Sequence, residues 1–455
     1  MRSAQLCLLA ELMLVALAQE SRKIIVNNMC PEAIRLGFTG GRLNSYSEAD
    51  CDAHPEILYW SPAARGCFFK APFEHPDLAS NSHIEMSLSK SFLFENSGGG
   101  GVTTDWSGTL WGATGCDGSG PDSNGASCDT AVCFESGKPS SEQGRCSPST
   151  GPQGPVTKAE FTLQPDATDF YDVSSLDGVN LPISIAPLSG TLSMDASVAN
   201  SGPYWCGSAG SPHSHGALSP STWEYDVPAH MRRESLYVAF KDGGANAECD
   251  SDDDCHLEGE MCGFTNWMTP KDPVSQARGM TSEMLFGRCG RLLGIATFNG
   301  VCKLPHDGSM AFPDSDDVVG CKKPVGNQGL TRQSYYGCEG SLRSGYQPDD
   351  KSGHDTCGCA SVGDWKEFGI NAHTDHECYS SSAIWKQTVL ANIAVVKKAA
   401  PTTYSYPYDD VSSTFQCSSS NKDKKNTQGY IFTFCPGGVG IGLNQSRHLE
   451  GSGLL

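Results

Sequence analysis

Basic side chains are scarce in this sequence of 455 residues, in which 32 Lys and Arg face 52 Asp and Glu and leave a formal net charge of −20. Nucleic acids and anionic membrane surfaces are bound through a basic face. We therefore expect neither as a partner, because neutral or cationic ligands suit this excess of negative charge better.

Long apolar runs are also missing after the N-terminus. No later segment approaches the ~20 apolar residues that a membrane-spanning helix needs, and the tail after Cys435 is too polar for a lipid-anchor signal. The first residues instead resemble an export signal, with Arg2 before an apolar run that ends in the small-x-small site Ala16-Leu17-Ala18. Residues 1–18 are predicted to be a signal peptide and the product to be secreted and extracellular. A buried N-terminal helix is the alternative, because Glu11 interrupts the apolar run.

Two common enzyme signatures are absent as well. The sequence has no Gly-x-Ser-x-Gly elbow, although a Ser-His-Asp triad built in another way stays open. Gly98 to Gly101 is not followed by the Lys-Ser/Thr of a phosphate-binding loop. The 51 Gly and 26 Pro residues indicate short strands joined by many turns.

Cysteine, in contrast, is abundant. Of 21 cysteines, Cys7 lies in the predicted signal, and the 20 that remain are an even number, compatible with complete pairing in an oxidising compartment. The segment from Cys206 to Cys378 holds 11 of them and is predicted to be a disulfide-rich lobe. Zinc bound by Cys357 and Cys359 near His354 is the competing interpretation.

Other candidate metal ligands lie in loop-like sequence. They are His213 with His215, and His373 and His376 with Cys378. Neither group has a ligand set of defined spacing, so solvated loop histidines are the favoured interpretation. The acidic run Asp250–Asp254 lacks the Gly and terminal Glu of a calcium-binding loop and is predicted to be a solvated turn. We expect no metal and no cofactor.

Hydrophobic periodicity predicts a β-rich chain. Apolar and polar residues alternate in four segments, which are predicted strands with one buried face: Lys23 to Val26, Ala159 to Leu163, Leu181 to Ala186 and Tyr430 to Phe434. Apolar residues recur at near-helical spacing late in the chain, at Ile384, Val389, Ile393 and Val396. This helix is expected to end at Pro401.

Blocks of residues resemble, in order along the chain, the sequence signatures of the thaumatin-like proteins. They are Ile25-Val26-Asn27-Asn28 with Cys30-Pro31, Ser107–Cys116, Ala159–Leu163, Asp169–Ser174, Asp177–Pro182, Tyr404–Asp410, Ser413–Cys417 and Phe434-Cys435-Pro436. The resemblance is missing from Arg42 to Val102 and from about Ser189 to Ala400. We interpret these two segments as insertions or divergent replacements.

The resemblance implies a mainly β fold, a flattened antiparallel β-sandwich in which the first and last strands meet, with two disulfide-rich lobes and one late helix. The implied domain spans residues 19–436 and is followed by a polar tail, 437–455. Its parts would be a sandwich core (19–205 and 401–436) with a small disulfide loop lobe (117–158), and a divergent cysteine-rich lobe (206–400).

Disulfide pairs also follow from the resemblance. It implies Cys30–Cys435, Cys116–Cys128, Cys133–Cys146 and Cys206–Cys417. A further cysteine of the family is replaced by Ala400, so the end of the late helix is expected to be held differently here.

The family's cleft is lined by one Arg, one Glu and three Asp. The matching positions in this sequence are Thr109, Glu160, Asp172, Asp177 and Asp410. Four carboxylates are kept while threonine stands at the arginine position. The resemblance therefore implies an acidic cleft that has lost its cation.

Two functions suit such a cleft. The favoured hypothesis is a pathogenesis-related type of protein that binds a polysaccharide such as β-1,3-glucan, in a defence or wall-interaction role. The alternative is a weak endo-β-1,3-glucanase that uses Glu160 and Asp177, since glycoside hydrolysis needs one carboxylic acid and one carboxylate. Glu160 as an ordinary surface residue and Asp177-Gly178 as a turn signal remain open.

Glycosylation and the oligomeric state are also predicted from the sequence. Asn444-Gln445-Ser446 is the one acceptor sequon and is predicted to make the product a glycoprotein. The chain is expected to be a monomer.

Overall fold

A computed structural model describes residues 22–43, 46–53, 55, 58–62, 65–71, 77–88, 106–116, 128–131, 152, 154–164, 167–188, 202–227, 231, 236–242, 247–265, 285–297, 322–325, 330–338, 358–370, 383–418 and 428–443. The predicted signal peptide, the pair Cys133–Cys146 and the sequon at Asn444 lie outside these residues.

The described chain is mostly strands with few helices. The strands are β1 (Arg22–Asn28), β2 (Ile34–Gly40), β3 (Arg42–Leu43), β4 (Leu58–Ser61), β5 (Gly66–Phe69), β6 (Asp77–Leu78), β7 (Ser82–Leu88), β8 (Trp106–Ala113), β9 (Lys158–Leu163), β10 (Asp169–Ser174), β11 (Ile183–Pro187), β12 (Glu224–Tyr225), β13 (Leu236–Asp242), β14 (Glu260–Thr265), β15 (Leu285–Thr297), β16 (Pro324–Val325), β17 (Leu330–Thr331), β18 (Phe415–Cys417), β19 (Tyr430–Phe434) and β20 (Gly442–Leu443). The α-helices with labels are α1 (Glu48–Asp52), α2 (Arg332–Gly337), α3 (Val362–Glu367), α4 (Ala391–Ala399) and α5 (Asp410–Ser413).

A four-stranded sheet with the order β11-β19-β1-β7 joins the two ends of the described chain. β1 and β19 run parallel, with Ile24 opposite Tyr430. The resemblance implies this meeting of first and last strands. β7 pairs with β1 from the other side and places Met86 opposite Ile24. Part of the segment from Arg42 to Val102, which we interpret as an insertion or a divergent replacement, is therefore a strand of this sheet.

A second sheet has six strands in the order β18-β10-β9-β8-β2-β6. Alternation along β9 buries Ala159 and Phe161 in the main hydrophobic core. The Phe161 ring lies 5.3 Å from that of Phe432 in the first sheet, and the Tyr171 ring lies 5.1 Å from that of Tyr430. The inner faces of the two sheets thus pack together through aromatic side chains, which leaves the other face of β9 free to carry polar residues.

A buried ion pair between Arg22 and Asp169 also connects the two sheets. The Asp169 carboxylate accepts hydrogen bonds from the Tyr430 hydroxyl at 2.7 Å and from the Gln164 backbone N–H at 2.7 Å. Burial raises the pKa of Asp169 above its ordinary value, although the charge of Arg22 opposes the rise. These hydrogen bonds satisfy a charge that would otherwise be expensive to bury.

Disulfides fasten the strands and lobes. The described residues include the implied pairs Cys30–Cys435, Cys116–Cys128 and Cys206–Cys417. They also include three pairs that the resemblance does not imply: Cys51–Cys67, Cys249–Cys262 and Cys255–Cys289.

The late helix forms where the apolar periodicity predicts it. Helical residues Ala383–Trp385 lead into a π-helical turn, Lys386–Leu390, and then into α4, after which the chain leaves the helix at Ala400 before Pro401. The short helices α1, α2, α3 and α5 have no counterpart in the sequence-based prediction. No helix in the described part of the chain is long and apolar enough to cross a membrane.

Candidate functional site

A row of four residues crosses the outer face of the six-stranded sheet. Thr39 lies opposite Thr109, Thr109 opposite Glu160, and Glu160 opposite Asp172 in the ladder of β2, β8, β9 and β10. Residues directly opposite in antiparallel strands share a face and approach within about 5 Å. We call Thr39, Thr109, Glu160 and Asp172 the carboxylate row.

The neighbouring rows on the same face differ in chemistry. On one side of the carboxylate row, Thr162 of β9 lies opposite the aromatic Phe170 of β10, each two residues from its row member. On the other side, Lys158 of β9 lies opposite Trp111 on β8 and Ser174 on β10. The carboxylates thus lie between an aromatic ring on one side and a cation on the other.

An open groove of about 300 Å³ lies over the carboxylate row. It is lined by Thr39, Gly40, Gly41, Ser107, Gly108, Thr109, Glu160, Phe161, Thr162, Phe170 and Asp172. Phe170 is 37% exposed and presents its ring to the groove. The groove therefore combines carboxylates, hydroxyls and an aromatic ring.

The surroundings of Asp172 favour its protonated form. Its Oδ1 is inaccessible to solvent and has no hydrogen-bond partner among the described residues. Burial raises the pKa of Asp172 well above its ordinary value, and the charges of Glu160 and Asp410 raise it further, while Lys158 opposes them. A neutral carboxyl is favoured because an unpartnered charged oxygen is costly to bury.

Lys158 brings positive charge to the site. Its Nζ lies 2.6 Å from the Asp177 carboxylate and 3.9 Å from that of Glu160. Burial alone would lower the pKa of Lys158, but the charges of Asp177 and Glu160 outweigh burial and raise it above its ordinary value. Lys158 therefore supplies a cation next to these carboxylates from a position that the family pattern does not include, although it is not among the residues that line the groove.

Asp177 lies beside the groove and is not among its lining residues. It precedes Gly178, whose φ of 107° is a conformation that residues with a side chain rarely adopt. A Cβ at Gly178 would lie 2.5 Å from the Ile295 carbonyl oxygen. Asp177 thus has the turn geometry that its sequence indicates and also pairs with Lys158.

Asp410 approaches the carboxylate row from another part of the chain. It begins α5, accepts a hydrogen bond from the Tyr404 side chain, and is near enough to raise the pKa of Asp172. The segment that carries it is joined to β10, because the Tyr404 N–H donates to the Val173 carbonyl at 2.8 Å. The structure therefore brings Glu160, Asp172 and Asp410 into electrostatic contact.

Substituting Asp172 by asparagine should change how stability depends on pH. Because the folded-state pKa of Asp172 is raised, its contribution to stability is fully present below the unfolded pKa and is lost as pH rises through the folded value. Asp172→Asn should therefore be more stable than the wild type at pH 7, by roughly 1–3 kcal/mol, and equal to it near pH 3. Urea unfolding across this pH range measures the difference.

Asp177→Asn is the matched control for this substitution. It neutralises a carboxylate that is paired with Lys158, so it should lower stability at pH 7 rather than raise it. Equal effects of the two substitutions at pH 7 would show that ionisation of Asp172 is not unfavourable in the folded protein.

Sequence reasoning missed Lys158 and Phe170 as members of this site. Period-two alternation was a usable signal for both, since Lys158 shares a strand face with Glu160, and Phe170 shares one with Asp172. The family's cleft pattern places its cation at position 109 instead. The partnership of Lys158 with Asp177 had no local signal.

The alternative metal sites receive no support from the described residues. Cys359 is disulfide-bonded, which removes it as a zinc ligand, and Cys357 lies outside the described residues. His213 is exposed, and the group at His373, His376 and Cys378 is not among the described residues.

The remaining clusters have structural explanations. The sulfurs of Cys249, Cys255 and Cys289 lie close together, but all three belong to disulfides. The acidic run folds as a turn in which the Asp254 carboxylate accepts from the backbone N–H groups of Asp250 and Ser251.

Comparison with known proteins relates the chain to one family. Residues 97–290 match the model of the Thaumatin family. This match extends past Ser189, where the resemblance of the sequence motifs ends. Part of the segment from Ser189 to Ala400 therefore still matches the family model.

Plant relatives give the same result. Thaumatin-like protein 2 of Prunus persica is 37% identical over 141 residues, which are 30% of this chain and 51% of the relative. A Prunus avium protein named glucan endo-1,3-beta-glucosidase is 36% identical over 114 residues, 25% of this chain and 40% of the relative. The chain thus spans about half or less of the length of these two relatives.

The solved structure of a thaumatin-like xylanase inhibitor is 18% identical in sequence and has a TM-score of 0.21. The match covers 36% of this chain and 76% of the inhibitor chain. The family match, the plant relatives and the ordered sequence signatures together show that the chain is similar to the thaumatin-like proteins.

Proposed function

We propose that this thaumatin-like chain is a secreted protein that binds a polysaccharide of the β-1,3-glucan type in the groove, in a defence or wall-interaction role. Glu160 and Asp172 lie opposite each other in an open groove, with the exposed Phe170 two residues from Asp172 on the same strand. This juxtaposition is the observation that carries the proposal.

Each part of the groove suits a sugar chain. Sugar hydroxyls donate to a carboxylate such as that of Glu160 in charge-assisted hydrogen bonds, and the apolar face of a sugar ring packs on an aromatic side chain. Thr109 and Thr162 add hydroxyl groups that donate or accept. A neutral sugar polymer also avoids the repulsion that a net charge of −20 imposes on an anionic ligand.

The proposal predicts that Glu160→Gln weakens binding of a soluble β-1,3-glucan about tenfold. Hydrogen bonds to a charged group contribute about 1.5–3 kcal/mol, and 1.4 kcal/mol corresponds to a factor of ten in Kd. Isothermal titration calorimetry measures the Kd, and a pull-down on the insoluble polymer provides an independent check.

Glu85→Gln is the control for this measurement, because Glu85 lies on β7 of the other sheet, where its half-exposed carboxylate pairs with Lys23. It should bind as the wild type does. The proposal fails if the wild type does not bind the glucan, or if the Glu160 and Glu85 variants bind equally.

A weak endo-β-1,3-glucanase activity is the second candidate. The combination of a partly exposed Glu160 with an Asp172 whose pKa is raised by burial resembles the carboxylate and the acid that glycoside hydrolysis requires. The sequence hypothesis pairs Glu160 with Asp177, but Asp177 is outside the groove lining and is paired with Lys158. Asp172 is the better partner for Glu160 in this geometry.

Release of reducing ends from the same soluble glucan distinguishes the two candidates. An enzyme should release them in the wild type and lose this activity in both Glu160→Gln and Asp172→Asn. Binding without release of reducing ends identifies a binding protein.

A further inference from the structure

Short side chains line the half of the groove that lies over β2 and β8. The lining residues from these two strands and the turn after β2 are all glycine, serine or threonine: Thr39, Gly40, Gly41, Ser107, Gly108 and Thr109. The lining residues from β9 and β10 include larger ones, namely Glu160, Phe161, Phe170 and Asp172. The open space therefore extends over β2 and β8 because no long side chain from these strands projects into it.

Packing within the protein accounts for two of these glycines but not for Thr109. A Cβ at Gly40 would overlap the Phe69 carbonyl oxygen. A Cβ at Gly108 would lie 2.7 Å from the Phe38 ring. Thr109 instead lies on the outer face of β8 and lines the groove, so the core does not dictate its short side chain. The size of residue 109 thus determines how much room the groove has over β8.

The groove is longer across the strands than along them. It spans the adjacent strands β2, β8, β9 and β10, three steps of about 4.8 Å that add up to about 14 Å. Along the strands it holds two rows of outward positions, about 7 Å apart. The first is the carboxylate row, and the second consists of Gly41, Ser107, Thr162 and Phe170. A linear ligand therefore fits best with its length across the strands.

We propose that the polysaccharide crosses the strands from Phe170 on β10 to Thr39 on β2, and that Thr109 is a specificity-determining residue. The short side chain of Thr109 leaves space for a sugar residue over β8, which connects the two halves of the groove. This inference rests on the proposed function and adds to it the direction of the sugar chain and a preference for long ligands.

The two halves of the groove offer different contacts to such a chain. Phe170 and Glu160 supply an aromatic face and a carboxylate over β9 and β10. Thr39, Ser107 and Thr109 supply hydroxyl groups over β2 and β8, and each hydroxyl both donates and accepts. The lining residues of this second half carry no charge. It therefore suits the hydroxyls of further neutral sugar residues.

Affinity should rise with ligand length in the wild type. Calorimetric titration of β-1,3-linked oligosaccharides with two to six glucose units measures this dependence. The shortest oligosaccharide should bind over β9 and β10, and longer ones should gain about tenfold in affinity from hydrogen bonds over β8 and β2.

Thr109→Leu should remove this gain and leave binding of the shortest oligosaccharide unchanged, because the longer side chain fills the space over β8. Thr109→Ser keeps a short side chain and the hydroxyl, so it should bind all lengths as the wild type does. Thr109→Val keeps the size but loses the hydroxyl, and it should weaken binding of the long oligosaccharides alone, by about fivefold.

Glu85→Leu is the control for the introduction of leucine, because Glu85 lies on β7 of the other sheet. It should bind every length as the wild type does. Urea unfolding verifies that each variant is folded. Thr109→Gln has a similarly long side chain and replaces Thr109→Leu in the test if the leucine variant does not fold.

The inference is overturned if affinity in the wild type does not depend on length, or if Thr109→Leu binds the longest oligosaccharide as tightly as the wild type. Equal weakening of short and long oligosaccharides by Thr109→Leu also overturns it. Failure of the wild type to bind any of these oligosaccharides refutes the proposed function and this inference with it. Weaker binding in Glu160→Gln with no effect of Thr109→Leu refutes this inference alone.

Discussion

Replacing Lys397 by methionine is expected to lower the free energy of unfolding by about 3–5 kcal/mol, the usual effect of removing one partner of a buried ion pair. Lys397 and Asp409 have fully buried side chains, and their charged atoms lie 2.8 Å apart. The Lys397 ammonium also donates to the Thr403 carbonyl at 2.9 Å and the Ser413 hydroxyl at 2.7 Å. Methionine fills similar space but leaves the charge of Asp409 without its cation.

Urea unfolding followed by tryptophan fluorescence measures this loss, since Lys397 Nζ lies 5.7 Å from the centre of the Trp365 ring. The neighbouring Lys398 is exposed, so Lys398→Met is a matched control that should change stability by less than about 0.5 kcal/mol. Combining Lys397→Met with Asp409→Asn should recover part of the loss. Equal stability of the two single variants would contradict the structural role of the Lys397–Asp409 pair.

Replacing both Cys30 and Cys435 by alanine should cost about 5 kcal/mol of stability on the chain-entropy model. The bond joins residues 405 positions apart, and its loss enlarges the conformational freedom of the unfolded chain. Cys206–Cys417 shortens the effective loop to roughly half, which changes this estimate by only about 0.6 kcal/mol because the entropy grows with the logarithm of loop length.

Cys51 and Cys67 provide the control, because they are buried like Cys30 and Cys435 but only 16 positions apart. Their replacement by alanine should cost about 3 kcal/mol on the same model. The measurement is the urea midpoint of the two double variants, with equal m-values required for the comparison. A smaller loss for the long-range pair would mean that loop entropy does not dominate its contribution.

Much of the candidate site could be predicted because successive side chains of a strand point to opposite faces of the sheet. Alternation along β9 and β10 places Glu160 and Asp172 on the outer face without knowledge of any partner strand. Their alignment opposite each other depends on strand register, which a single strand does not encode. The resemblance to a family supplied that information, along with the disulfide pairs.

The sequence by itself determined the β-rich character, the late helix, the disulfide-rich composition and the acidic charge, since these depend on composition and local periodicity. Tertiary structure alone decided that β7 joins the four-stranded sheet, that Lys158 pairs with Asp177 and that Lys397 forms an ion pair with Asp409. Such contacts form when separate segments become neighbours in the folded core. Burial then strengthens each charge interaction, so the chemistry of the groove depends on distances that no local pattern records.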